Sequence, residues 1–380
     1  MPHPSKTDLA LMHESEGIVL FYPHVPKKAK EYVADTLSSR WIGQGPKVDR
    51  FELAVQAKFG LRGPCIAVGA GTDALHLSYI LAGLKRGDEV LTPVFTCAAT
   101  NIPLLYIGAR IRFVDIDSRT LNISVHDLKA RISDRTKAIV CVHYGGLPCD
   151  LDAIRSIADE YGVPVIEDAA QALGGGYKGT PIGATSDFAI FSFQAIKNLT
   201  TGNGGMLSFS DASLVEKAKR LRWFGIDRVR KQKGMWDNDI TEIGFKYEMT
   251  DIAAAIGLAG IEEFDDIIAH RRLLYRHYVQ NLRGVKHVTI VDDFDPDKAH
   301  AAWLFSILVE RRIDCQMKLR SRQIESGQVH FRNDRYSIFD CRDEFPNMDL
   351  IDDNYLVLPL HTRMSIEDVD RICAVLQEGW

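Results

Sequence analysis

The sequence predicts an α/β protein in which a mostly parallel sheet is covered by helices on both faces and followed by a smaller α+β domain. Three observations predict it. Short runs of β-type apolar residues alternate with helical patterns of ten or so residues, as in parallel βαβ units. At 380 residues the chain is too long for one simple core. From about residue 283 the pattern gives way to short strands and one last helix, so the chain divides into a large domain, 1–255, and a small one, 256–380.

Taken in order, residues 1–15 are polar and read as loosely held. Residues 27–39 and 48–59 read as helices, with the Gly-Gln-Gly-Pro turn 43–46 between them. A strand at 65–68 leads into the turn Gly69-Ala70-Gly71-Thr72-Asp73 and a helix at 74–84. Strands at 89–91, 111–114 and 138–143 then alternate with helices at 98–107, 125–132 and 151–161. A strand over 163–166 places Glu167-Asp168 at its carboxyl end. The apolar run 188–193 precedes Lys197 and a glycine-rich turn at 200–205. Residues 210–222 read as a helix and 222–236 as a basic, aromatic loop. Two helices, 249–261 and 267–282, lead to the small domain, with a strand at 304–309 and a helix at 366–377.

Composition excludes several classes. Net charge is −5, against a general nucleic-acid binder, and any anionic ligand must meet local positive charge instead. Seven scattered cysteines without CxxC spacing suggest neither a disulfide framework nor a zinc site, and no metal is expected. Nowhere do about 18 uncharged apolar residues occur together, so no membrane span is expected and the cytoplasm is the expected location.

Chemistry concentrates around Lys197. A lysine at an apolar rim is pushed from its usual pKa of about 10.4 toward the neutral amine, which can attack a carbonyl. Pyridoxal 5'-phosphate (PLP) needs such a lysine, a carboxylate beneath its pyridine nitrogen and donors for its phosphate. Asp168, at a strand's carboxyl end where ligands of open α/β sheets collect, supplies the carboxylate. The amides at the helix start after Gly71, with the Thr72 hydroxyl, supply the phosphate cradle. The plain alternatives are a surface lysine, a helix-capping aspartate and an ordinary small-residue turn. The turn lacks the third glycine of a dinucleotide fingerprint.

Six segments in order then resemble the sugar aminotransferases of the DegT/StrS type, which use PLP on the fold-type-I scaffold. They are WIGQGPKVDRFE (41–52), GAGTDALHL (69–77), GDEVLTPVFTCAAT (87–100), IEDAAQALG (166–174), FSFQAIKNLTTGNGGM (191–206) and GFKYEMTDIAAAIGLAGI (244–261). The resemblance implies a seven-stranded sheet, Lys197 as the cofactor's lysine, Asp168 as partner of the pyridine nitrogen and Gln171 beside the phenolic oxygen. It implies Gly71, Thr72 and Ser192 as phosphate ligands, with Lys246 reaching the phosphate of a neighbouring subunit in a homodimer with shared sites. Many members carry asparagine in place of Lys246. Arg228, in a loop matching one near the family's site, and His330 are implied substrate contacts.

The implied activity is transfer of an amino group, with L-glutamate as donor, to a nucleotide-linked keto-sugar. The keywords that go with it are amino-sugar and lipopolysaccharide O-antigen biosynthesis. Two departures stand out. Many members cover the ring with an aromatic where this chain has Cys97, two residues after Phe95, and the usual substrate loop is replaced by QVHFRNDRYSIF (328–339). An aminocyclitol or other keto-substrate is the alternative, and a non-catalytic regulator of the same fold a further one. A 3-dehydratase of this fold would carry histidine where this chain has Lys197.

Overall fold

The computed structural model describes residues 11–380 other than Asn238. Of the stretch read as a loose N-terminal segment, residues 1–10 lie outside the described residues. The large sheet has seven strands: β1 Cys65–Val68, β2 Glu89–Pro93, β3 Arg110–Val114, β4 Thr136–Val142, β5 Val165–Asp168, β6 Phe188–Ser192 and β7 Gly205–Phe209. Their order is β1-β7-β6-β5-β4-β2-β3, parallel everywhere except at β7, which runs antiparallel to both neighbours. The sequence reading missed β7. The link from β6 is a turn with no crossover helix, and such a link can only reverse the chain.

Apolar side chains of each strand alternate between two cores. On one face Ala67, Ile139, Cys141 and Phe191 pack against Val48, Phe51 and Val55 of helix Pro46–Lys58 and against Ile154 of helix Leu151–Tyr161. On the other, Ile66, Val140, Ile166 and Ile190 pack against Leu75 and Leu77 of helix Gly71–Leu81. Period-two alternation between two covered faces is why these strands read as continuous apolar runs.

Two expected helices are one. Helix Asp251–Leu282 runs unbroken through 32 residues, about 48 Å at the α-helical rise. Between the expected pair, Glu262, Asp265 and Asp266 are exposed while Phe264 is buried, so the polar stretch is a solvent face with no breaker in it. Its first half contributes Ala254 to the large core. Its second half contributes Leu274, Tyr278 and Leu282 to another core, against a three-stranded antiparallel sheet of Val288–Ile290, Phe305–Val309 and Tyr355–Leu358 and helix Ile366–Glu378. The expected loop at 222–236 contains a short helix, Arg228–Gln232, capped by Asp227. No helix among the described residues is long and apolar enough to cross a membrane.

Asp251 also anchors the turn before helix Pro46–Lys58. Its buried carboxylate accepts from the backbone N–H of Gly45 (2.8 Å), Lys47 (3.0 Å) and Val48 (3.0 Å). Bonds to a charged acceptor are the strong kind, and removing the carboxylate strands all three donors. Asp251→Ala is therefore expected to cost about 3 kcal/mol in denaturant unfolding. A loss under about 0.5 kcal/mol, the size of an ordinary surface change, would contradict this.

Candidate active site

Lys197 lies on the link from β6 to β7, where its backbone N–H donates to the Gln194 carbonyl at 2.9 Å. Its side chain is half-buried against Trp303, with Nζ 3.4 Å from the centre of the indole ring. Burial lowers its pKa from 10.5 to about 8, against the opposing pull of Cys97 and Asp168. The indole N–H of Trp303 donates to the Ile196 carbonyl at 3.0 Å, so one side chain fixes the backbone beside the lysine and forms a wall for its amine.

Glu167 and Asp168, adjacent on β5, face opposite sides of the sheet and meet different fates. Glu167 is fully compensated: His143 Nε2 lies 3.1 Å from one oxygen and the Arg155 guanidinium donates to the other at 2.8 Å. The Cys149 N–H donates to His143 Nδ1 at 3.0 Å, which places the ring proton on Nε2, toward Glu167. Asp168, 4% exposed, has no ion-pair partner among the described residues. It accepts from the Thr100 hydroxyl (2.7 Å), which itself lies 2.9 Å from the Thr96 hydroxyl, and from the Ala170 N–H (3.1 Å). Burial raises its pKa, opposed by those donors and by the charge of Lys197. A buried carboxylate so placed favours a cationic N–H group.

Gln171 is held at both ends of its amide. Its Oε1 accepts from the Gly145 N–H at 2.7 Å, which leaves its Nε2 to donate to His330 Nε2 at 3.3 Å. His330 stacks on Trp303 (6.1 Å between ring centres, 26°), and burial together with the charge of Lys197 lowers its pKa to about 3, so the ring is neutral. The unusual 328–339 stretch reaches this point because Phe331 and Arg332 pair with Thr96 and Phe95 in a two-residue antiparallel ladder. Buried Asn101–Asn333 contact at 2.9 Å secures the same junction. Phe95 is turned into the core against Tyr144 and Tyr355, 4.9 and 5.1 Å away. Half-buried Cys97, close enough to Lys197 to act on its amine, is the one that borders the site.

A turn and helix start adjoin the end of β6. Helix Gly71–Leu81 starts at Ala70 with no side-chain cap. A Cβ on Gly71 would lie 3.0 Å from the Ser192 Cβ and 3.3 Å from its hydroxyl, so the turn and the strand end touch, with Thr72 next in the helix. A Cβ on Gly205 would fall 2.4 Å from the Ala70 carbonyl, so that position admits only glycine. Uncapped helix-start amides beside a hydroxyl are an arrangement suited to an anion.

The expected residues thus fall into groups. Lys197, Asp168, Gln171 and His330 share one aromatic-walled region, with Gly71, Thr72 and Ser192 beside it. Arg228 and Lys246 form a separate cluster on Trp223, at 5.2 and 4.0 Å from its ring. Within the chain Lys246 pairs with Glu248, and Arg228 bonds Gln44. Sequence reasoning missed Thr100 and Trp303. Thr100 stood inside a helical pattern and Trp303 beside a predicted strand, and neither position carried a signal of its own.

The residues present fit PLP: an amine of lowered pKa, an uncompensated buried carboxylate and an uncapped helix start converge at strand carboxyl ends. The comparisons agree. The GDP-perosamine synthase of Escherichia coli O157:H7 is 36% identical over 318 residues, covering 83% of this chain and 85% of its own length. The structure of AtS13 from Actinomadura melliaura superposes with a TM-score of 0.91 at 35% identity, over 97% of this chain and all of that one. Spr1654 of Streptococcus pneumoniae, in its PLP form, superposes at 0.89 with 25% identity, over 95% of this chain and 98% of its own. Residues 23–377 match the DegT/DnrJ/EryC1/StrS aminotransferase family, and the chain belongs to that family of PLP-dependent sugar aminotransferases.

Proposed function

We propose that the chain transfers the amino group of L-glutamate to a nucleotide-linked keto-sugar, giving the amino-sugar. The observation that carries the reading is the pairing of a lysine of lowered pKa with a buried carboxylate that lacks a cation. The likeness to a GDP-sugar enzyme supports the nucleotide.

Lys197 would hold the cofactor, Asp168 the proton on its pyridine nitrogen, Gln171 the phenolic side, and Gly71, Thr72 and Ser192 its phosphate. Bound PLP supplies an electron-withdrawing ring that stabilises charge at the substrate carbon. Lys197, released as an amine with a pKa of about 8, is poised near neutral pH to take a proton from that carbon and return it one atom away. Trp303 keeps the amine against one wall. Neutral His330 offers the substrate a hydrogen-bonding group without adding a second positive charge beside Lys197.

In this reading the enzyme is a homodimer in which Lys246 reaches the partner's phosphate as a point charge, and Arg228 meets the sugar nucleotide. The division between domains falls at 255/256, inside the long helix that feeds both cores. The test is incubation with L-glutamate and a panel of UDP-, GDP- and dTDP-linked keto-sugars, following 2-oxoglutarate release. Preference for one of them is the expected result. Release with none of them, but with a keto-cyclitol, would overturn the nucleotide-sugar reading.

A further inference from the structure

Residues 328–339 carry His330 to the surroundings of Lys197, yet their own burial does little to hold them there: Phe331, Tyr336 and Ile338 are 45, 40 and 62% exposed. Their ladder with Phe95 and Thr96 is two residues long. A polar clamp adjoins it. Asn333, 0% exposed, donates its backbone N–H to the Val94 carbonyl at 2.7 Å and its Nδ2 to the carbonyls of Thr96 (2.8 Å) and Phe331 (3.0 Å). Carbonyls only accept, so the amide has one orientation, with its Oδ1 accepting from the Asn101 Nδ2 at 2.9 Å. That in turn fixes Asn101, whose Oδ1 accepts from the Thr92 hydroxyl at 2.7 Å. Thr92 stands on β2 and Asn101 on helix Ala98–Tyr106, and both are 0% exposed.

Both polar atoms of the Asn333 side chain are thus paired away from water, and a buried network so satisfied selects one arrangement of the chain. Removing the amide strands buried partners on either side of it. Upstream the stretch is anchored again, where Gly327 and Val357 exchange backbone bonds at 3.2 and 2.9 Å. His330 stands on the span between these anchors, its ring set against those of Trp303 (6.1 Å between centres) and Tyr144 (5.7 Å) and its Nε2 on Gln171. It faces Lys197 and the Tyr144 phenol, and burial, then the charge of Lys197, keeps it neutral. A span that loses one anchor opens locally, and the burial of His330 goes with it.

We propose that Asn333 is a positioning residue for the acceptor substrate. It fastens residues 328–339 to the 94–96 segment after β2, and so fixes the imidazole of His330 where the acceptor meets Lys197. A side chain that neither substrate can reach thereby decides how the second of them is held. The part of the claim that concerns the acceptor rests on the keto-sugar reading above, and the experiment separates the two.

The test follows the imidazole Cε1–H resonances of histidine-labelled holoenzyme, with that of His330 identified by its loss in His330→Gln. In the parent this resonance is expected to stay fixed between about pH 5 and 8, the range in which ordinary histidines titrate. In Asn333→Ala it is expected to titrate near 6.5, the value of an imidazole in water, while the KM for the preferred keto-sugar rises about tenfold and kcat stays within about threefold. Asn101→Ser, which removes one bond of the clamp, is the milder variant, with a rise of about threefold expected. Thermal melting checks that each folds. A His330 resonance as fixed in the folded variants as in the parent, a freed His330 with unchanged KM, or loss of folding in both variants would overturn the proposal. If the parent turns over no keto-sugar, the substrate reading fails and the acceptor's part with it, whereas the His330 titration still decides whether Asn333 holds the ring.

Discussion

Replacing Lys197 with alanine is expected to abolish the visible absorption band of the bound cofactor and to lower turnover by about 10⁴-fold or more. The variant loses both the group that holds the cofactor and the amine that moves the proton, and the second role alone contributes about 10²–10⁴-fold. No neighbour can substitute: His330 is held neutral and occupied by Gln171, Trp303 and Tyr144 offer an indole and a phenol, and the Cys97 thiol cannot form the cofactor's imine. The same amine sets a pH dependence. Lys197, half-buried against Trp303, is an ammonium below about pH 8 and neutral above it. Capture of added PLP by the cofactor-stripped protein therefore speeds up with pH to about 8 and then levels off. An exposed lysine would keep gaining toward about 10.4, and that profile would show that burial does not tune this group. A variant with an unchanged band would mean that another lysine carries the cofactor.

Asp168→Asn has the second largest expected effect, a fall in turnover of about 10²–10³-fold with the cofactor retained. The amide oxygen can still accept from the Ala170 N–H, and the amide NH2 that replaces the other oxygen can donate to the Thr100 hydroxyl, so local structure survives. What disappears is a buried negative charge that has no ion-pair partner among the described residues. Because that charge is costly to bury in the folded protein, the cofactor-free variant is expected to melt no lower than the parent. Turnover within threefold of the parent would refute the assigned role, and a much lower melting temperature would mark Asp168 as structural instead.

What could be read from the sequence was whatever is local along the chain. Lys197 announced itself by an apolar run before it and a glycine turn after it, and Asp168 by its place at a strand end. The Leu151–Tyr161 helix, with a clean amphipathic pattern, has the bounds its residues suggest. What could not be read is assembled over distance. The donor to Asp168 comes from Thr100, 68 residues away, and the bond fixing the backbone at Ile196 from Trp303, 107 residues away. Choosing between Cys97 and Phe95 needed the packing of Phe95 between two tyrosines. Strand β7 was hidden because a glycine turn hides whether the chain reverses or crosses over. The break placed between 261 and 267 falls on a run of acids, and acids on a helix's exposed face terminate nothing.

The point at which the cofactor is attached decides the role of Lys197. Borohydride reduction of the purified holoenzyme, followed by proteolysis and mass mapping, should place the pyridoxyl group on the peptide that carries Lys197. A pyridoxyl group on a different lysine, or on no peptide at all, would contradict it.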